Sequence, residues 1–190
     1  MTIVVLGWGS LCWDPRDLPI IGSWHADGPL LPVEFARVSK DRRLTLVLRK
    51  RTKRVKVLWA EMNTATIDKA IDGLKIREET PNKDNLGWVD LHNPLNNNCK
   101  TFRTALTVTK RWARRKHLDA VVWTDLPSNF REKTGMDFTE DNVVAYLQSL
   151  DRGESQKAEE YVRKAPRQIK TKMRDVFEER LGWRHRGEGL

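Results

Sequence analysis

Apolar residues fall in short unbroken runs over the first half of this chain and in helical stripes over its last third, and that order restricts the folds open to it. Ile3-Val4-Val5-Leu6 is a buried strand that stops at Gly7, where the backbone becomes permissive. Leu44 to Leu48 and Val55 to Ala60 are two more strands, and the short, very basic connection between them predicts a hairpin. Asn63 is placed to cap a helix whose Ile67, Ala70, Ile71 and Leu74 share a face, and whose end delivers Arg77-Glu78-Glu79 into a loop. Pro81 and the polar stretch that follows keep the chain out of helix before Trp88 to Leu91, and Asn93 to Asn98 is a further loop. Phe102 to Thr109 and Ala120 to Thr124 are strand candidates. Thr139 caps a helix carrying Val143, Leu147 and Leu150, a shorter helical segment spans Ala158 to Val162, and a last helix places Ile169, Met173, Val176, Phe177 and Leu181 on one stripe ending at Gly182. Strands first and helices later predict an α+β fold: a mixed sheet or small barrel with flanking helices, helical from about residue 139.

At 190 residues the chain has the length of one domain, and 39% hydrophobic against 32% charged residues suits a folded core under a well-solvated surface. The first apolar run is far too short for a signal peptide or a membrane span, so a cytoplasmic protein with no membrane partner is expected. Cys12 and Cys99 share no metal-ligand or disulfide spacing, and His25, His92, His117 and His185 are scattered, so no metal or cofactor is expected. The formal charge of +9 favours anionic partners, from small acids to nucleotides and nucleic acid.

The segment from Leu6 to Pro15 sets two glycines and a serine directly after the first strand. Backbone N–H groups there can converge into a nest for carboxylate or phosphate oxygens, although glycine, any residue, glycine and serine after a strand also make an ordinary turn. A dinucleotide fingerprint needs a third glycine and a following helix, and Trp13-Asp14-Pro15 supplies neither. The segment resembles the signature of the gamma-glutamylcyclotransferases, especially their ChaC-type branch, through Gly7, Gly9, Ser10, Leu11, Trp13 and Pro15. Trp8 stands where that family usually has tyrosine; it keeps the aromatic surface and loses the hydroxyl. Leu74 to Glu78 is similar to a second family segment whose glutamate is the catalytic acid and base, which gives Glu78 that position. Phe35 to Ser39 fits the family's order of elements more loosely.

The resemblance implies a cofactor-free release of 5-oxoproline from a small anionic γ-glutamyl amine or peptide, with Gly7, Trp8, Gly9, Ser10 and Leu11 binding the substrate. Glu78 is also read as a plain helix-end carboxylate paired with Arg77 or Lys75, and Glu79 competes for the same role one residue on. Ser10 lacks a nucleophile elbow and is read as a binding residue. Arg49 to Lys56 and Lys110 to Lys116 are dense in cations; phosphate contacts use such residues, and so do a solvated hairpin tip and a loop. The alternative function is therefore a non-catalytic binding protein of the same fold that recognises a nucleotide, nucleic acid or another anion.

Overall fold

The structure, a computed structural model, describes residues 1–185. Its strands are β1 (Ile3–Gly7), β2 (Ile20–His25), β3 (Leu30–Leu31), β4 (Val33–Val38), β5 (Leu44–Leu48), β6 (Val55–Lys56), β7 (Leu58–Met62), β8 (Leu86–Asp90), β9 (Asn97–Asn98) and β10 (Ala120–Thr124). Its helices are α1 (Ile67–Arg77), α2 (Arg103–Arg115), α3 (Phe130–Thr134), α4 (Glu140–Gln148), α5 (Arg152–Lys164) and α6 (Lys172–Arg180). Six strands form a mixed sheet in the order β2-β7-β1-β10-β8-β9, with β1 and β10 parallel and the other pairs antiparallel. The pairs β3–β6 and β4–β5 form two small separate sheets. The fold is α+β. The large sheet ends at β2 and β9 and does not close, which corrects the small-barrel alternative.

The unbroken apolar run of β1 is explained by burial on both faces. Val4 and Leu6 point into a core shared with β4, β5, α2 and the C-terminal helices, while Ile3 and Val5 point into a second core roofed by Ile67, Ala70, Ile71 and Leu74 of α1. Phe35 on β4 is fully buried and meets Phe177 of α6 and Tyr161 of α5 edge to face, at 5.4 and 6.3 Å between ring centroids.

Several local expectations are corrected. The expected hairpin does not form: β5 pairs with β4 across a short turn in which the Ser39 N–H donates to the Arg43 carbonyl, and the run from Val55 splits at Val57 into β6, which joins β3, and β7, which joins β1 and β2. The charges of Glu34 and Arg37 interrupt the apolar pattern of β4, the strand that wins the competition for β5. Asn63 is not the cap of α1; the Thr66 hydroxyl accepts the Lys69 N–H at 3.3 Å. Phe102 to Thr109 is not a strand, and Lys110 to Lys116 is not a loop: Arg103 to Arg115 form α2, whose buried Ala105, Thr109, Trp112 and Ala113 follow helical spacing. Asp125 anchors the approach to that helix by accepting the Lys100 and Thr101 N–H groups at 2.7 and 3.0 Å. The segment around Ala158 is longer than expected, a helix of 13 residues opened by a capping box of Asp151 and Glu154. Thr171 caps α6, so Ile169 precedes that helix, and Gly182 takes the left-handed conformation after its end at φ 71°. No helix among the described residues is long and apolar enough to cross a membrane.

Candidate active site

The loop after β1 closes as a single 3-10 turn over Ser10–Cys12, with the Cys12 N–H donating to the Gly9 carbonyl at 2.9 Å. Such a turn leaves its first N–H groups without an intrahelical acceptor, and here those groups belong to the Gly9–Leu11 stretch. Both glycines are required by packing. A Cβ on Gly7 would lie 2.6 Å from the Trp24 ring and 2.7 Å from the Cys12 sulfur, and one on Gly9 would overlap the Tyr161 hydroxyl. Packing thus accounts for the glycine spacing at these two positions.

Five segments distant in sequence meet around this loop in a cleft of about 950 Å³ lined by Gly7 to Leu11, Arg77 to Pro81, the β4–β5 turn, the start of α3, Tyr146 and Tyr161. The centre of the contact is Arg77, whose side chain is 8% exposed. Its Nη2 donates to the Ser10 hydroxyl at 3.2 Å and to the Asp14 carbonyl at 2.7 Å, and its Nη1 donates to Glu78 Oε1 at 2.6 Å. One guanidinium therefore ties the end of α1 to the loop after β1 and holds Glu78 at the cleft wall. The Glu78 side chain is 14% exposed, and its second oxygen receives no protein hydrogen bond among the described residues.

The neighbouring Glu79 points elsewhere. It adopts a left-handed backbone at φ 50°, its side chain is 63% exposed, and it pairs with Arg16 at 2.6 Å. That hydrogen bond and the Arg16 charge hold its carboxyl below the usual range. Of the two adjacent carboxylates, Glu78 is the one sheltered in the cleft.

The remaining expected site residues divide. Trp8 lines the cleft, yet its indole is buried and donates to the Leu46 carbonyl at 3.2 Å, so its role is to join the loop to β5. Leu11 sends its side chain into the core beneath α1 and offers the cleft its backbone. Trp13 is half-buried and meets Tyr161 edge on at 5.3 Å. Tyr161 was not expected in this place: its oxygen accepts the Leu46 N–H at 3.2 Å, and burial pushes its pKa up to about 12, so the hydroxyl stays protonated at physiological pH. It stands against Gly9, which places a phenol at this loop although position 8 has none. No local signal marks a tyrosine so far along the chain; the strict need for glycine at position 9 is its only trace.

The β4–β5 turn adds charge. Lys40, Arg42 and Arg43 line the cleft with Arg37 and Lys133. Arg43 is paired with Asp41 and Arg42 with Glu154, whereas Arg37 donates to the Pro127 carbonyl and Lys40 has no carboxylate partner among the described residues. The cleft is thus equipped for an anion. Cys12 and Cys99 are desolvated thiols, pushed above the usual cysteine range by burial, Cys99 to about 12, and neither is set up as a thiolate. Among the described residues no three His, Cys, Asp or Glu side chains come together as a metal-binding group. Compared with known proteins, the chain matches no family model, no curated protein and no solved structure.

Proposed function

We propose that this cleft is the active site of a cofactor-free enzyme of the gamma-glutamylcyclotransferase type, releasing 5-oxoproline from a γ-glutamyl amine or peptide. The observation that carries the reading is the meeting, through Arg77, of the two motifs that suggested it: Ser10 and Glu78 lie far apart in sequence and share one guanidinium. The reaction needs little from the protein beyond position and proton transfer. The substrate's α-amino nitrogen attacks its own γ-carbonyl carbon, a new C–N bond closes the five-membered ring, and the bond to the leaving amine breaks. Holding the glutamyl chain folded raises the effective concentration of the amine at the carbonyl by a large factor. Glu78, with one oxygen anchored on Arg77 and the other open, takes the proton from the α-ammonium group and returns it to the leaving nitrogen. The N–H groups of Gly9, Ser10 and Leu11 hold the substrate carboxylate or the developing oxyanion. Arg77 positions Glu78 and Ser10 and is not itself assigned to the reacting atoms.

The test is 5-oxoproline release from a panel of γ-glutamyl amines and peptides. Turnover is expected in the wild type, a loss of at least about 100-fold in Glu78→Gln, as for removal of a general acid and base, and little change in Glu79→Gln. Loss in Glu79→Gln alone would move the role by one residue. Absence of 5-oxoproline from every compound would overturn the reading.

A further inference from the structure

A second anion-binding element lies outside the cleft, on α2. Its inner side is spent on packing, since Ala105, Thr109, Trp112 and Ala113 are buried. At 100° per residue Arg103, Thr107, Lys110, Arg111 and Arg114 share the opposite face, with Arg115 at its margin. This face runs about 16 Å along the helix axis, from Arg103 to Arg114. The helix contains no acidic residue. Among the described residues no carboxylate pairs with Arg103, Lys110, Arg111, Arg114 or Arg115, whereas α5 carries its Arg163 and Lys164 in i,i+4 pairs with Glu159 and Glu160.

Helix stability does not account for the arrangement. Lys110 with Arg114 and Arg111 with Arg115 put like charges at i,i+4, which destabilises a helix, and Arg103 sits in the first turn, the end where a cation is disfavoured. Only the cations of the last turn are favoured by the helix dipole. The other basic segment of the chain is partly neutralised by its surroundings: Arg49 stacks on Phe138 at 4.0 Å, in a hollow that also holds Glu34, Glu140 and Asp141.

We propose that the exposed face of α2 binds the phosphate backbone of a nucleic acid without reading its sequence. Four of the five unpaired cations are arginines, whose planar forks match phosphate oxygens, and the exposed Thr104 and Thr107 add hydroxyl donors between them. A membrane surface is the poorer fit, because a helix lying on lipid needs a free apolar face and that of α2 is already buried in the core. An acidic polypeptide lacks the regular charge spacing that a stripe of this length would meet on a nucleic acid strand.

The experiment titrates the full chain into labelled single-stranded and duplex DNA of about 20 nucleotides per strand, between about 50 and 200 mM salt. Binding to either form is expected, with log Kd rising linearly in log salt, and the tighter form identifies the partner. The triple variant R103E/K110E/R114E should weaken binding at least about tenfold at low salt and flatten the slope by about 2 to 3, since each lost phosphate contact removes about 0.7 to 0.9. If that variant loses helicity by circular dichroism, R103Q/K110Q/R114Q serves instead, and the same direction of change is expected. Reversal of Lys50, Arg51 and Lys53 should leave binding within about threefold. Absence of binding at about 50 mM salt, an unchanged Kd in the α2 variants, or equal affinity for phosphatidylserine vesicles or polyglutamate would each overturn the proposal. Turnover of γ-glutamyl compounds does not enter the readout, so this result and that of the cleft stand separately.

Discussion

Gly9 and Tyr161 meet at a distance that leaves no room for a methyl group, and the fit can be measured. Gly9→Ala drives a Cβ into the Tyr161 hydroxyl and should cost about 1–3 kcal/mol, the usual range for overpacking. Tyr161→Phe removes the hydroxyl that accepts the Leu46 N–H and should also cost about 1–3 kcal/mol, the penalty of an orphaned buried donor. In the Tyr161→Phe background the nearest remaining atom to the new Cβ is the ring Cζ, at 3.4 Å, so the cost of Gly9→Ala should shrink markedly. A double-mutant cycle from urea denaturation checks this, and strictly additive losses would show that the two residues do not touch as described. At this scale the sequence was partly legible. The opening motif and Glu78 stood out by their resemblance to segments of a known family, and both line one cleft. Arg77 entered only as a counter-charge for Glu78, because nothing local tells that its other nitrogen reaches Ser10.

Elements were legible where a single periodicity decided them and illegible where partner choice did. β1, β10, α1 and α4 have uniform apolar patterns, and their structures follow the pattern closely. α2 is rich in threonine and valine over its first half, which argues locally for a strand; the long-range contacts of Trp112 and Ala113 settle it as a helix. β4 was hidden by Glu34, a buried carboxylate whose presence makes sense only once α6 is placed. Its oxygens accept the Phe35 N–H at 2.9 Å and the Met173 N–H at 3.5 Å, and the Thr171 side chain bonds to it. Burial outweighs these bonds and raises its pKa. A raised carboxyl pKa means that the folded state keeps a proton the unfolded chain has released. The contribution of Glu34 to stability therefore falls as pH rises from its ordinary value of about 4.3 through the raised one. Thermal unfolding of wild type and Glu34→Gln from about pH 4 to about pH 7 measures the effect. The difference in Tm should move in favour of Glu34→Gln as pH rises, whatever constant offset the lost N–H acceptor introduces. A pH-independent difference would show that Glu34 titrates alike in both states.

On the scale of the whole molecule, β1 couples the two cores, because its successive side chains enter opposite ones. Val4 belongs to the core under the C-terminal helices and Val5 to the core under α1, and both are fully buried. Neither core closes without the strand, and β1 itself is held by β7 on one side and by β10, far along the chain, on the other. The cleft inherits this dependence: its floor follows β1, Arg77 and Glu78 end α1, and Tyr161 comes from α5, so it exists only when both cores are formed. One cooperative transition is the expected outcome. Val4→Ala and Val5→Ala each remove two methyl groups' worth of buried contact, a loss of about 2 kcal/mol, and each should lower Tm by about 4–8 °C in a chain of this size. Tryptophan fluorescence weights the first core through Trp8, Trp112 and Trp123, while far-ultraviolet circular dichroism reports the helices from α1 to α6 together. The two signals should trace coincident curves in the wild type and shift together in both variants. If Val5→Ala split the circular dichroism transition and left the fluorescence midpoint in place, the α1 side would be a separate folding unit, and a cleft that draws Glu78 from one side and Tyr161 from the other would open before the protein unfolds.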